Sequence, residues 1–171
     1  WNPKLPDEAG NSLFRERRAA AGNIPVASHD SYLINLASPK PEATEKSINA
    51  FADELKRCAA LGIEYLVMHP GSHLGEGVQA GLDRFTTNLD QAITQADIGD
   101  TVMVLLETTA GQGTNLGARF EELAAIIASS SFPHQLGVCY DTCHTFVAGY
   151  DIRTPTAYRR TMDECTLSQI Y

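Results

Sequence analysis

Four aliphatic segments, each followed by a residue able to bind a metal ion, constrain this chain more than any other feature. The segments run over Asn23–Ser28, Ile63–Met68, Thr101–Leu106 and Gln135–Tyr140. Directly after them come His29, His69, Glu107 and Asp141, at separations of 40, 38 and 34 residues. Near-continuous apolar runs of this length suit strands covered on both faces, as in parallel sheets. Helical stripes lie between them. Ser47, Phe51, Leu55 and Cys58 draw one, opened by Pro39 and Pro41 and closed by Gly62. Val78, Leu82, Phe85, Leu89 and Ile93 draw the next, and Phe120, Leu123, Ala124 and Ile127 another. A further helix is expected from Pro6 to Ala21, ended by Gly22.

Strands alternating with helices predict parallel pairing through right-handed crossovers. Four such units make either a small open sheet or half of an eight-unit barrel, which takes about 250 residues. In both, the strand C-termini share one face, and that face carries the active site. His29, His69, Glu107 and Asp141 are therefore expected to converge. His144, three residues beyond Asp141 in the following loop, is placed to reach a neighbouring site. Taken singly, each has a bland reading, as a satisfied loop histidine or an acid capping the next helix. Four at equivalent positions favour a metal centre. Imidazole and carboxylate donors suit zinc, manganese or iron(II). His73 reads as a loop hydrogen bonder and His134 as exposed, and neither is assigned chemistry. Gly71, Gly75 and Gly77 follow the second segment, and Gly111, Gly113 and Gly117 the third. They serve tight turns or close approach to a ligand equally well. No nucleotide-binding fingerprint is present.

A net charge of -8 argues against coating nucleic acid with a basic surface. It leaves room for a nucleic-acid enzyme whose metals offset clustered acidic ligands. Arg15, Arg17 and Arg18 read as a solvated helix face. Cys58, Cys139, Cys143 and Cys165 lack zinc-ribbon spacing and are expected as reduced thiols, Cys58 on an apolar helix face and Cys139 in a strand. No apolar run reaches the roughly 18 residues of a membrane span, and no signal-peptide pattern opens the chain. A cytoplasmic setting, nuclear in a eukaryote, is the expectation. Trp1 in place of methionine suggests that the protein starts further upstream.

The segment His29-Asp30-Ser31-Tyr32-Leu33-Ile34-Asn35-Leu36 resembles the first metal motif of endonuclease IV, the apurinic/apyrimidinic (AP) endonuclease family. Met68-His69-Pro70-Gly71-Ser72-His73 is similar to its second motif, and Glu107-Thr108-Thr109-Ala110-Gly111-Gln112-Gly113 to its third. Asp141-Thr142-Cys143-His144, with Ala148-Gly149-Tyr150-Asp151, resembles its fourth. Order and spacing match from near Trp1 to about Tyr158.

The resemblance implies an α/β fold, a TIM (β/α)8 barrel. Residues 1–171 would form a single partial domain of about four consecutive parallel βα units, lacking the first and last strands. It implies three zinc ions in the complete family enzyme and hydrolysis of the phosphodiester 5′ to an abasic site in double-stranded DNA. That cut leaves a 3′-hydroxyl and a 5′-deoxyribose phosphate, as base excision repair requires. By matching motif, His29, His69 and Glu107 would hold one zinc, and Glu107 would bridge to a second that Asp141 also binds. His144 would bind the third. Glu107 and Asp141 are thus the catalytic candidates, and Tyr32 and Leu33 match residues pressed into the DNA stack.

Thr108 departs from the family, which commonly has Asn there. The family barrel also continues past Tyr171 through strands that carry the remaining ligands. The chain alone is therefore expected to hold at most about one zinc tightly, to cleave little or no abasic DNA, and to self-associate through its unpaired edges. Manganese remains a possible metal. Two alternatives stand beside this reading: a metal-dependent sugar isomerase or epimerase of the same barrel superfamily, and a truncated homologue without turnover.

Overall fold

The structure is a computed structural model and describes residues 7–167. In chain order its elements are α1 (Glu8–Ala20), β1 (Ala27–His29), α2 (Pro41–Leu61), β2 (Tyr65–Met68), α3 (Val78–Ala96), β3 (Met103–Glu107), α4 (Phe120–Ser129), β4 (Leu136–Cys139), α5 (Thr142–Val147) and α6 (Pro155–Leu167). A 3-10 turn, Pro133–Gln135, leads into β4. All neighbouring strands pair in parallel in the order β1-β2-β3-β4. The result is an open, partial α/β barrel.

Local chemistry sets the helix bounds. Pro41 opens α2, where its missing N–H costs nothing, and Gly62 closes it at φ 70, a left-handed turn that glycine adopts without strain. Gly62 N donates to Ala59 O and Ile63 N to Cys58 O, so Ile63 ends the helix instead of starting a strand. The expected stripe of Ser47, Phe51, Leu55 and Cys58 is buried. On α3 the stripe holds from Leu82 to Ile93, while Val78 is exposed in the first turn. On α4 the buried set is Phe120, Leu123 and Ile126, with Ile127 only half-buried. These faces pack on Leu66, Met68, Val104 and Leu106 of the sheet, each of them sealed from solvent. Each such side chain contributes about 1.5–3 kcal/mol of burial.

Four expectations are corrected. The strands are shorter than the apolar runs, and His29 and Glu107 are the last residues of β1 and β3, not the residues after them. The sheet is only partly covered on the face away from the helices, where Val67 is buried. On that same face Tyr65 and Met103, partners in register, remain 40% and 37% exposed. His144 lies within α5, not in a loop, because the Asp141 side chain caps that helix by accepting from His144 N at 2.7 Å. Finally, Arg15 and Arg18 are not a merely solvated face. Arg15 donates to Ala60 O, and Arg18 donates to Gly62 O, to Ile24 O at 3.1 Å and to Glu64 at 2.9 Å. Two cations thereby pin α1 onto the carbonyl end of α2, where the helix dipole favours them. Arg17 stays exposed, and Arg15 is itself only partly covered.

Helix α6 has no counterpart among the stripes read from the sequence. The Pro6 end of the expected first helix lies outside the described residues. Cys58 is buried on α2 and Cys139 sits in β4, both as thiols, and burial pushes the Cys58 thiol up to about 11. Among the described residues no helix is long and apolar enough to cross a membrane.

Candidate metal centre

The parallel register brings the ends of the strands to one rim of the sheet. His29 closes β1, and its Nε2 lies 2.7 Å from Glu107 Oε2 at the end of β3. His69, the residue after β2, places Nε2 3.1 Å from the same oxygen. The second carboxylate oxygen, Glu107 Oε1, lies 3.3 Å from His144 Nδ1. The imidazoles pack edge to face, with ring centroids 5.2 Å apart for His29 and His69 and 5.5 Å for His69 and His144.

Two ligand-type groups result. His29, His69 and Glu107 offer donor atoms within 4.8 Å of one another, and so do Glu107, Asp141 and His144. Glu107 is common to both, nearly buried, with one oxygen turned toward each. The donor chemistry fits divalent metal: two neutral nitrogens and a carboxylate are a protein set that leaves room for water on an ion. All five candidate ligands therefore gather at one place. His144 approaches Glu107 together with Asp141, closer to the second group than the motif assignment implies.

Hydrogen bonds orient these side chains. His29 Nδ1 bonds the Asp30 carbonyl at 2.8 Å, which directs Nε2 into the cluster. Burial draws the His29 pKa down, but the Asp30 carbonyl and the carboxylates of Glu107 and Asp30 outweigh it and leave it raised. For His69 burial prevails, helped by the neighbouring His29 and His144, and its pKa is lowered despite Glu107. A lowered value keeps the imidazole neutral, the form that ligates metal. Burial, with Glu54 and Glu107 nearby, pushes Asp30 up to about 8 against the pull of His29.

The surrounding loops are tied by side chains that sequence reasoning passed over. Asn35 Nδ2 donates to Ser72 O, and its Oδ1 accepts from Ser72 N, both at 3.0 Å, joining the loop after β1 to the loop after β2. Thr108, noted only as a departure, bonds both Asp141 and His144. Neither role has a sequence signal, since the partners lie more than thirty residues away along the chain. His73 bonds within its loop as expected, Nδ1 accepting from Gly75 N and Gly77 N at 3.2 and 3.0 Å. His134 is exposed, 3.2 Å from Asp100, on the turn before β4 and so at the opposite end of the strands. Tyr32 and Leu33 stand on the loop after β1, 86% and 54% exposed, which sets aside packing inside the loop as their role.

Residues 3–169 match the family model described as xylose isomerase-like TIM barrel. The chain is 51% identical over 164 residues to "Probable endonuclease 4" of Geobacter sulfurreducens, covering 96% of this chain and 55% of the relative. It is 52% identical over 162 residues to the protein of the same name from Chloroflexus aurantiacus, covering 95% of this chain and 56% of the relative. The chain thus spans little more than half the length of these curated relatives. Among solved structures, endonuclease IV from Thermus thermophilus superposes with a TM-score of 0.85 at 37% identity, over 98% of this chain and 57% of that one. A D-tagatose 3-epimerase-like protein superposes with a TM-score of 0.71 at 22% identity, over 85% of this chain and 55% of that one, a likeness of fold alone. The motifs, the four-stranded rim and these matches agree: the chain belongs to the endonuclease IV family of xylose isomerase-like TIM barrels.

Proposed function

We propose that this chain carries part of a zinc-dependent AP endonuclease that hydrolyses the phosphodiester 5′ to an abasic site in double-stranded DNA, leaving a 3′-hydroxyl, in base excision repair. Residues 1–171 act as one partial barrel domain. The observation that supports this most is Glu107, whose two carboxylate oxygens face two different groups of ligand-type side chains. A carboxylate shared in this way suits a centre with more than one ion. His29, His69 and Glu107 would hold one zinc, Glu107 and Asp141 would contribute to a second, and His144 to a third. Bound metal supplies a low-pKa water, charge to neutralise the phosphate and stabilisation of the leaving oxygen. Manganese fits the same donors less specifically.

The chain's own residues account for the rest. The Asp30 carbonyl holds the His29 ring by Nδ1, so that Nε2 is the ligating atom. Burial keeps His69 neutral. Tyr32 and Leu33, held out into solvent, form a wedge for the gap left by a missing base, where an apolar side chain replaces lost stacking. Such a role places the protein inside the cell, with DNA as partner.

The test is metal content and incision. The isolated chain should retain at most about one zinc tightly, because its two three-donor groups share Glu107 and only one of them can draw on it fully. His69→Ala should release it, while His144→Ala should leave it nearly unchanged. The chain alone should cleave little abasic duplex. Grafted in place of the matching segment of the Geobacter sulfurreducens relative, it should support single 5′ incision. Tyr32→Ala with Leu33→Ala in that graft should lower the preference for abasic over intact duplex. Three tightly held zincs per isolated chain would refute the ligand count. A graft that holds metal but epimerises a ketose and spares DNA would refute the nuclease assignment.

A further inference from the structure

We infer that Thr108 is a positioning residue of the metal centre, holding Asp141 and His144 in the arrangement in which they face Glu107. The inference rests on the metal-centre reading above. Thr108 follows Glu107 at the end of β3 and is buried. Its hydroxyl accepts from Asp141 N at 2.9 Å and from Thr145 Oγ1 at 3.1 Å, and donates to Asp141 O at 3.3 Å. A hydroxyl has one proton to give and two lone pairs, so all its capacity is used. Both backbone polar groups of Asp141 are thereby clamped to the neighbouring strand.

The Thr108 carbonyl completes the hold. It lies 2.9 Å from His144 Nδ1 and accepts its proton. That bond puts the hydrogen on Nδ1, the nitrogen that also lies 3.3 Å from Glu107 Oε1, and leaves Nε2 as the lone-pair nitrogen free for an ion. Asp141 Oδ1 then caps α5 through His144 N at 2.7 Å. One residue thus sets the backbone of the first ligand, the ring of the second and the start of the helix between them. The extended geometry at β4 cannot do this alone, because pairing with β3 ends at Cys139.

Thr108→Val removes the hydroxyl and keeps the shape, and Thr108→Ser keeps the hydroxyl. The chain, labelled with 15N-histidine and free of metal, should show His144 in the Nδ1–H tautomer by long-range proton–nitrogen correlation. In the valine variant the freed Asp141 backbone and start of α5 should let His144 leave the Thr108 carbonyl, so that signature should average between tautomers, and in the serine variant it should return. In a Co2+ titration followed by visible absorption, valine should weaken the step that His144→Ala removes by about 10–100-fold, the usual cost of losing a partner of a ligand. The step that His69→Ala removes should stay near that of the unsubstituted chain. An unaltered His144 tautomer in the valine variant, equal loss with serine, or equal weakening of both steps would overturn the inference. No Co2+ binding by the unsubstituted chain would instead sink the metal-centre reading itself.

Discussion

Gly71 and Asn35 show how a single position can tie two loops of the rim. Asn35 satisfies Ser72 through both its amide nitrogen and its oxygen, and the oxygen also accepts from Ala37 N at 3.1 Å. A methyl group on residue 71 would run into that oxygen, and the backbone there sits at φ 80. Gly71→Ala therefore meets strain of about 1–2 kcal/mol from the left-handed backbone, and breaking the Asn35 bonds adds about 1–3 kcal/mol. Urea denaturation should show a loss of about 2–5 kcal/mol, and a loss below about 0.5 kcal/mol would refute the contact. In sequence, Gly71 read equally as a tight turn or as a place for ligand approach. The structure gives a third reason, contact between loops, which local pattern does not encode.

At the scale of elements, cations at its partner's carbonyl end hold α1 alongside the packing of Phe14. Arg18→Ala should lose about 1–3 kcal/mol, because carbonyls of Gly62 and Ile24 lose a charged donor, whereas Arg17→Ala should fall within about 0.5 kcal/mol. Thermal unfolding of the two variants separates them, and equal midpoints would return all three arginines to a solvated face. The helices α2 and α3 were legible because long amphipathic stripes carry strong periodicity, and Pro41 and Gly62 mark an end in residues with few other uses. Convergence of His29, His69, Glu107 and Asp141 was legible because parallel units repeat their strand ends at one rim. Strand bounds were less so: Ile63 is apolar whether it ends a helix or starts a strand. The same ambiguity hid the open sheet face, since Tyr65 and Met103 carry the same apolar character with or without a covering layer. His144 was misplaced because a six-residue helix, nucleated by the Asp141 cap, is too short for any stripe.

The molecule as a whole leaves β1 and β4 without outer strand partners among the described residues, beside a helix-free face bearing Tyr65 and Met103. Unpaired strand edges and exposed apolar surface favour association. Sedimentation of the isolated chain should show mass rising with concentration, and Tyr65→Lys with Met103→Lys should reduce it; a monomer at every concentration would refute this. The strand order has a different consequence, for synthesis. Each strand pairs with the one translated just before it, so no pairing must wait for a distant segment, and loop closure stays short. Growth from the ribosome can then proceed unit by unit. His29, His69 and Glu107 all precede β4 in the chain. The first three-ligand group therefore draws nothing from β4 onward, so a chain released up to the end of α4 should carry every residue that group needs.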